Sequence, residues 1–169
     1  MIPGETIRAA IKLIADYIGI TFVRAEQNGD RPALPFMEYK INIQADDPAY
    51  LDTVTNADHP SDPEKIIVTS ERGNKATVSL SFFAKDYIDI WTYAELAKDY
   101  LESERGKEDI YALGIFPRIV SPEVNDRTSY LETAYEPRVG FDIAFDGNKV
   151  MTAETPAVDL AATIADMSQ

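Results

Sequence analysis

The sequence has no cysteine. Disulfides, thiol catalysis and cysteine-ligated zinc are therefore excluded, and a reducing compartment is allowed. It has a single histidine, His59. A histidine-based metal site would need carboxylates for its other ligands, and Asp58, Asp62 and Glu64 lie close by. Their spacing matches neither an EF-hand nor a zinc helix. The same lone histidine would have to serve any Ser-His-Asp triad, and no G-x-S-x-G elbow accompanies it. Neither G-x-x-x-x-G-K-[ST] nor G-x-G-x-x-G occurs, so nucleotide cradling has no support. No apolar run reaches the length of a membrane span, and Met1 is not followed by a basic-then-apolar leader. Positive charge is scarce. Sixteen Lys and Arg stand against 29 Asp and Glu, a net charge of −13. No run of basic residues exceeds two, which argues against tight nucleic-acid binding. Solubility alone accounts for an acidic surface. So does a surface built to repel another polyanion, to meet a basic partner, or to surround DNA that slides without sticking.

What is present is the pattern of one α+β domain with an ordinary core. The stretch Lys65–Leu101 organises it. Ala76, Val78, Leu80, Phe82 and Ala84 alternate with Thr77, Ser79 and Ser81, the period of a strand with one face buried. Ile66–Ser70 before it is also strand-like. Gly73-Asn74 between them reads as a hairpin turn. A two-residue loop pairs Ile67 with Leu80; an odd loop pairs Val68 with Leu80 and Ile66 with Phe82. The period then becomes helical. Asp86 is the N-cap, with Tyr87, Ile90, Trp91, Ala94, Ala97 and Leu101 following.

Around this unit, Pro3–Tyr17 reads as a helix with Ile7, Ile11, Ile14 and Ile18 on one face, stopped by Gly19. Thr21–Glu26 is a short strand leading to a second turn signal, Asn28-Gly29. Phe36–Ala45 is a strand with Met37, Tyr39, Ile41, Ile43 and Ala45 expected on its buried face. Asp47–Glu64 reads as a long loop or arm. Ser103–Asp109 reads as a charged turn around Gly106. Leu113–Val120 is a strand placed at an edge by Pro117. Tyr130–Phe145 is the longest alternating run, with Leu131, Thr133, Tyr135, Val139, Phe141, Ile143 and Phe145 on one face and Pro137 marking a bulge or edge. Asp146-Gly147 is expected to close that strand and to open a short hairpin at Lys149–Thr152. Thr155-Pro156 then starts a last helix carrying Leu160, Ile164 and Met167.

The expected architecture is an antiparallel or mixed sheet of about six strands with two main helices on one face. Residues 1–146 form the single domain, and 147–169 form a C-terminal extension with the short helix. The carboxylate pairs Glu102/Glu104 and Glu108/Asp109 belong to a solvated turn. The aromatics Tyr39, Phe82, Trp91, Tyr135 and Phe141 lie on core faces rather than on a base-stacking platform. Nothing in the pattern calls for a cofactor, a metal or catalysis.

At VSLSFFAKD and its helix, at RPALPFMEYKI, and at YLETAYEPRVGFDIAF, the chain resembles the neck and tail-terminator proteins of tailed bacteriophages. The resemblance covers approximately Met1–Phe145, and Glu136, Arg138, Phe141 and Asp142 are its most specific part. It implies a structural α+β subunit of the virion neck that forms a ring, usually a hexamer. The ring terminates the tail tube and joins it to the head connector, with DNA passing through the lumen. It implies contacts with the tail tube protein and the connector, none with membrane, and no catalytic residues. Arg72, Gly73 and Asn74 at the expected hairpin, with Glu136, Arg138 and Asp142 on the closing strand, are the expected subunit interface. Two other classes stay open: an adaptor that binds one protein by strand addition at the Pro137 edge, and a small enzyme built on carboxylates.

Overall fold

The computed structural model describes residues 1–26, 31–46, 53–121, 123–131 and 134–157. The chain begins with helix α1 (Gly4–Ile18), whose face of Ile7, Ala10, Ile11, Ile14, Ala15 and Ile18 is buried. Gly19 ends it at φ 75° and donates its N–H to Ala15 O, a left-handed cap that costs glycine nothing. Strand β1 (Thr21–Arg24) then pairs with β2 (Phe36–Asp46) in parallel, Thr21 opposite Phe36. A parallel neighbour cannot be reached by a tight hairpin, so the turn expected from Asn28-Gly29 does not join these strands. That dipeptide lies outside the described residues.

β2 buries Met37 and Tyr39 as its alternation predicts, but Ile43 is 59% exposed. A bulge between Ile41 and Ile43 shifts the register. Beyond it the faces exchange: Ile43 and Ala45 turn outward, and Gln44 turns inward to donate its Nε2 to Ile2 O at 3.1 Å. Within the expected loop 47–64, Thr53–Asp58 form strand β3, antiparallel to the next strand. Residues 47–52 are outside the description.

The largest correction concerns Gly73-Asn74. Lys65–Phe83 is one unbroken strand, β4, running straight through that dipeptide. Helix α2 (Tyr87–Glu102) follows, and the Asp86 carboxylate caps it by accepting from Ile88 N at 2.7 Å. The charged turn around Gly106 is a third helix, α3 (Glu104–Tyr111). The Ser103 hydroxyl caps it by accepting from Gly106 N. β5 (Ile115–Ile119) is an edge strand, as Pro117 suggests. β6 (Asn125–Asp126) is a short pairing segment. The long alternating run is broken: β7 (Ser129–Leu131) and β8 (Ala134–Glu136) pair with each other, and β9 begins at Val139 after Pro137. β9 then continues to Pro156, through Asp146-Gly147 and Thr155. No hairpin forms at Lys149–Thr152, and Thr155-Pro156 are strand residues rather than a helix start. The remainder of the expected last helix, including Leu160, Ile164 and Met167, lies outside the described residues.

The main sheet is mixed and open, in the order β1-β2-β4-β9-β5, with β3 also on β4 and β6 also on β9. The α+β class holds. β4 and β9 pair without interruption from Lys65↔Pro156 to Phe82↔Val139. One face of the body carries Met37, Tyr39, Ala76, Val78, Leu80, Phe82, Phe141, Ile143 and Phe145 against the helices, which contribute Ile7, Ile11, Ile14, Ile90, Ala94, Ala97 and Leu101.

Candidate assembly surfaces

Strand pairing divides the sheet into a body and an arm. The change comes at one place. β2 ends with Asp46 opposite Asn74, and β5 starts with Ile115 opposite Gly147. Beyond that line β4 and β9 run on together for Lys65–Arg72 and Lys149–Pro156, joined among the described residues only by β3 on the β4 side. At about 3.3 Å per residue, the arm extends roughly 26 Å from the body. Every β3 residue is exposed, as is β9 from Lys149 onward.

The register shows how each arm face is composed. Ile66, Val68 and Ser70 share parity with Asn74, Ala76 and Val78, so they continue the face that helices cover in the body. Their cross-strand neighbours are Val54, Asn56 and Asp58 on β3 and Met151, Ala153 and Thr155 on β9. Val54 is 60% and Met151 41% exposed. The other face carries Thr55, Thr69 and Thr152 in one row, with Ala57, Ile67 and Glu154 in the next. Lys65 Nζ lies 3.3 Å from Asp62 Oδ2 and 3.5 Å from Glu154 Oε2. His59 Nε2 stands 3.5 Å from Glu154 Oε1 near the arm tip. Among the described residues no group of three or more His, Asp or Glu could hold a metal ion.

A groove of about 600 Å³ opens at the arm root. Its floor includes Gly73, Gly147 and the buried Asn74, and its wall is the ring pair Tyr111–Phe116, 4.6 Å apart and both more than half exposed. Asn74 Oδ1 is buried with no hydrogen-bond partner. Arg72 lies beside it, with Nη1 3.6 Å from Asp46 Oδ2. The expected interface residues Arg72, Gly73 and Asn74 thus sit at the junction of body and arm, not at the tip of a hairpin.

Glu136, Arg138 and Asp142 lie at the opposite end of the sheet, toward the β7–β8 hairpin. Glu136 pairs with Arg31, whose guanidinium covers the stacked rings of Phe36 and Phe83 at 5.1 and 5.0 Å. Asp142 accepts from Arg127 Nη2 at 2.8 Å and from the Ser79 hydroxyl. Burial pushes the Asp142 carboxyl up; the Ser79 and Arg127 hydrogen bonds and the Arg127 charge outweigh it, so the net shift is downward. Arg138 donates its Nε to Arg127 O at 3.2 Å and forms no ion pair among the described residues. Arg127 sits in Ser121–Thr128 (SPEVNDRT), between two strand-like runs, where a lone arginine gives no periodic signal to find it by.

None of the helices described is long and apolar enough to cross a membrane. No curated protein matches the chain. The family described as phage neck terminator protein matches residues 8–167, nearly the whole sequence, so it takes in the arm and the segment after Phe145 that the resemblance left uncovered. The chain belongs to the phage neck terminator family: it is a structural viral protein of the virion, acting with other neck and tail proteins.

Proposed function

We propose that this subunit closes into a ring, six copies strong, which caps the head-proximal end of the tail tube and joins it to the head connector. DNA passes through the lumen. The role is structural, without catalysis. The observation that carries this reading is the arm. A three-stranded sheet exposed on both faces, with valine and methionine on one of them, has no covering layer among the described residues. Such a sheet gains its stability from a neighbour. A ring contact is heterologous, one surface meeting a different one and closing by rotation. The arm and its root, with Arg72, Gly73 and Asn74, supply one surface. The outer end of the sheet, with Glu136, Arg138 and Asp142, supplies the other. Of these three, Arg138 is the group with charge left over for a neighbour.

Electron microscopy of assembled particles and of concentrated protein tests the reading. Rings at the head–tail junction are the expected result. Arg138→Glu is expected to impair ring or particle assembly while circular dichroism stays unchanged. Particles that assemble normally without this protein, or carry it away from the junction, overturn the proposal. The free protein is compatible with a monomer in dilute solution, because many small contacts form together on a tube end.

A further inference from the structure

Among the described residues the arm has two free edges, and they are different. On one side β3 pairs with β4 alone. On the other, β9 from Asn148 to Pro156 pairs with β4 alone, because β5 stops opposite Gly147. Exposed edges are ready-made templates for another strand, and folded proteins usually blunt them with lysine, proline or a bulge. β3 has neither Lys nor Pro. The β9 edge has Lys149 and Pro156 only near its ends. Its pairing to β4 continues without a bulge. Both edges are therefore open along their centres.

We infer that the β9 edge of one copy pairs with the β3 edge of the next, so that the arms join side by side into a continuous β-belt. The inference rests on the ring reading and names its contact. An isologous contact would consume one edge twice and stop at a dimer; unlike edges pair head to tail and close by rotation. β3 and β9 run in the same direction, since each is antiparallel to β4. Copies rotated about an axis along the arms therefore present these edges in parallel, and a parallel ladder forms. Asn148, where the β9 edge becomes free, lines the groove walled by Tyr111 and Phe116. The entering β3 strand lies on the continuation of β5 with that aromatic wall at its end.

The absence of cysteine makes the test clean. In one chain Thr55 and Thr152 stand in the same row with β4 between them. Two strand spacings separate them by roughly 10 Å, beyond the ~7 Å Cα reach of a disulfide. Three double variants of the full chain sample the registers: Thr55→Cys with Val150→Cys, with Thr152→Cys, or with Glu154→Cys. All four positions face the same side. Concentrated protein under mild oxidation is expected to give a ladder of linked copies ending in a closed ring for one register. That register should link at least about tenfold faster than any single-cysteine variant. Thermal melts of each variant in reductant check that it folds. Efficient dimers from Thr152→Cys alone would show β9 paired with β9 and overturn the inference. Rings seen by microscopy with no linkage in any register would overturn the arm contact and leave the ring reading standing. A folded protein forming neither rings nor linked copies at the tail end would remove both.

Discussion

Arg127 and Asp142 stand 2.8 Å apart, Nη2 to Oδ1, across the outer face of the sheet. The same guanidinium donates to Ser79 Oγ at 3.1 Å, and the Ser79 hydroxyl donates to Asp142. Three residues from β4, β9 and the segment before β7 are thereby locked together. Arg127 N also donates to Arg138 O at 2.7 Å. At the outer end of the sheet, where Arg138 is displayed, this polar cluster on one face adds to the buried packing of Phe82, Val139 and Phe141 on the other.

Acid should loosen it. The Asp142 carboxyl titrates below its ordinary value in the folded chain. Its contribution is then complete above the unfolded pKa of about 3.9 and is lost as pH falls through the lower folded value. With Asp142 one-third exposed, the pair contributes on the order of 1 kcal/mol or less. Chemical denaturation from about pH 5 down to about pH 2 should show stability falling toward acid below the unfolded value of about 3.9, and Asp142→Asn should flatten that part of the slope. An unchanged slope in the variant contradicts this assignment.

Gly106 in α3 lies against the backbone of Tyr100 in α2. A β-carbon there would lie 1.9 Å from Tyr100 O, a backbone atom that cannot swing away. Gly106→Ala is expected to cost about 2–3 kcal/mol and to lower the melting temperature by roughly 5–10 °C. Gly4, also helical, has nothing within 4 Å of the corresponding position. Gly4→Ala should be neutral or stabilising by up to about 1 kcal/mol. Equal melting temperatures for the two variants would refute the packing argument.

Where local chemistry decides structure, the sequence reads correctly. Asp86 caps α2, Gly19 ends α1, and the alternation Ala76–Phe82 lies on the core face. Turn signals mislead where tertiary pairing overrides them. Asn74 stands opposite Gly147, and Gly73 opposite Asn148. Two dipeptides that each favour a turn lie side by side in an extended ladder. The preference of either is about 1 kcal/mol, small beside an 18-pair strand interface. Glycine is suited to this spot because a β-carbon on Gly147 would press on Ile115 and Ile2, 3.2 and 3.4 Å away. Ile43 was misplaced for a different reason, since a bulge exchanges faces without leaving a mark in the alternation. The candidate assembly surfaces are legible in the sequence only in outline. The residues Arg72–Asn74, expected at a hairpin turn, lie at the root of a larger arm.

Hydrogen exchange should divide β4 in two. Ala76–Phe82 are buried between β2 and β9 beneath the helices, while Ile66–Ser70 lie in the uncovered arm. In dilute protein the amides of the arm half should exchange faster by about two orders of magnitude or more. The division should fall near Gly73-Asn74, in the middle of a single strand. In assembled particles the arm half should become protected. Uniform protection along β4 in the dilute subunit would show that the arm needs no neighbour.

The last prediction concerns DNA. A net charge of −13 leaves few counterions for the chain to release from phosphate. Of the three lysines and arginines on the arm strands, Lys65 is paired with Asp62 and Glu154 and Arg72 with Asp46, while Lys149 is exposed opposite Arg72, on the other face from Glu71 and Glu154. Glu71 and Glu154 share a face with the threonine row Thr55–Thr69–Thr152. In the proposed ring, such arms would repel the phosphate backbone at every copy, and DNA would slide through without a binding step to reverse. An anisotropy titration with duplex DNA at physiological salt should detect no sub-micromolar affinity. Substituting Glu71→Lys and Glu154→Lys together changes the charge by +4 per copy, from two carboxylates to two ammonium groups. That variant should acquire salt-dependent DNA binding and slow DNA release from particles that carry it. Sub-micromolar, salt-sensitive binding by the unmodified protein would instead mean that the lumen grips DNA, and the sliding passage would have to be abandoned.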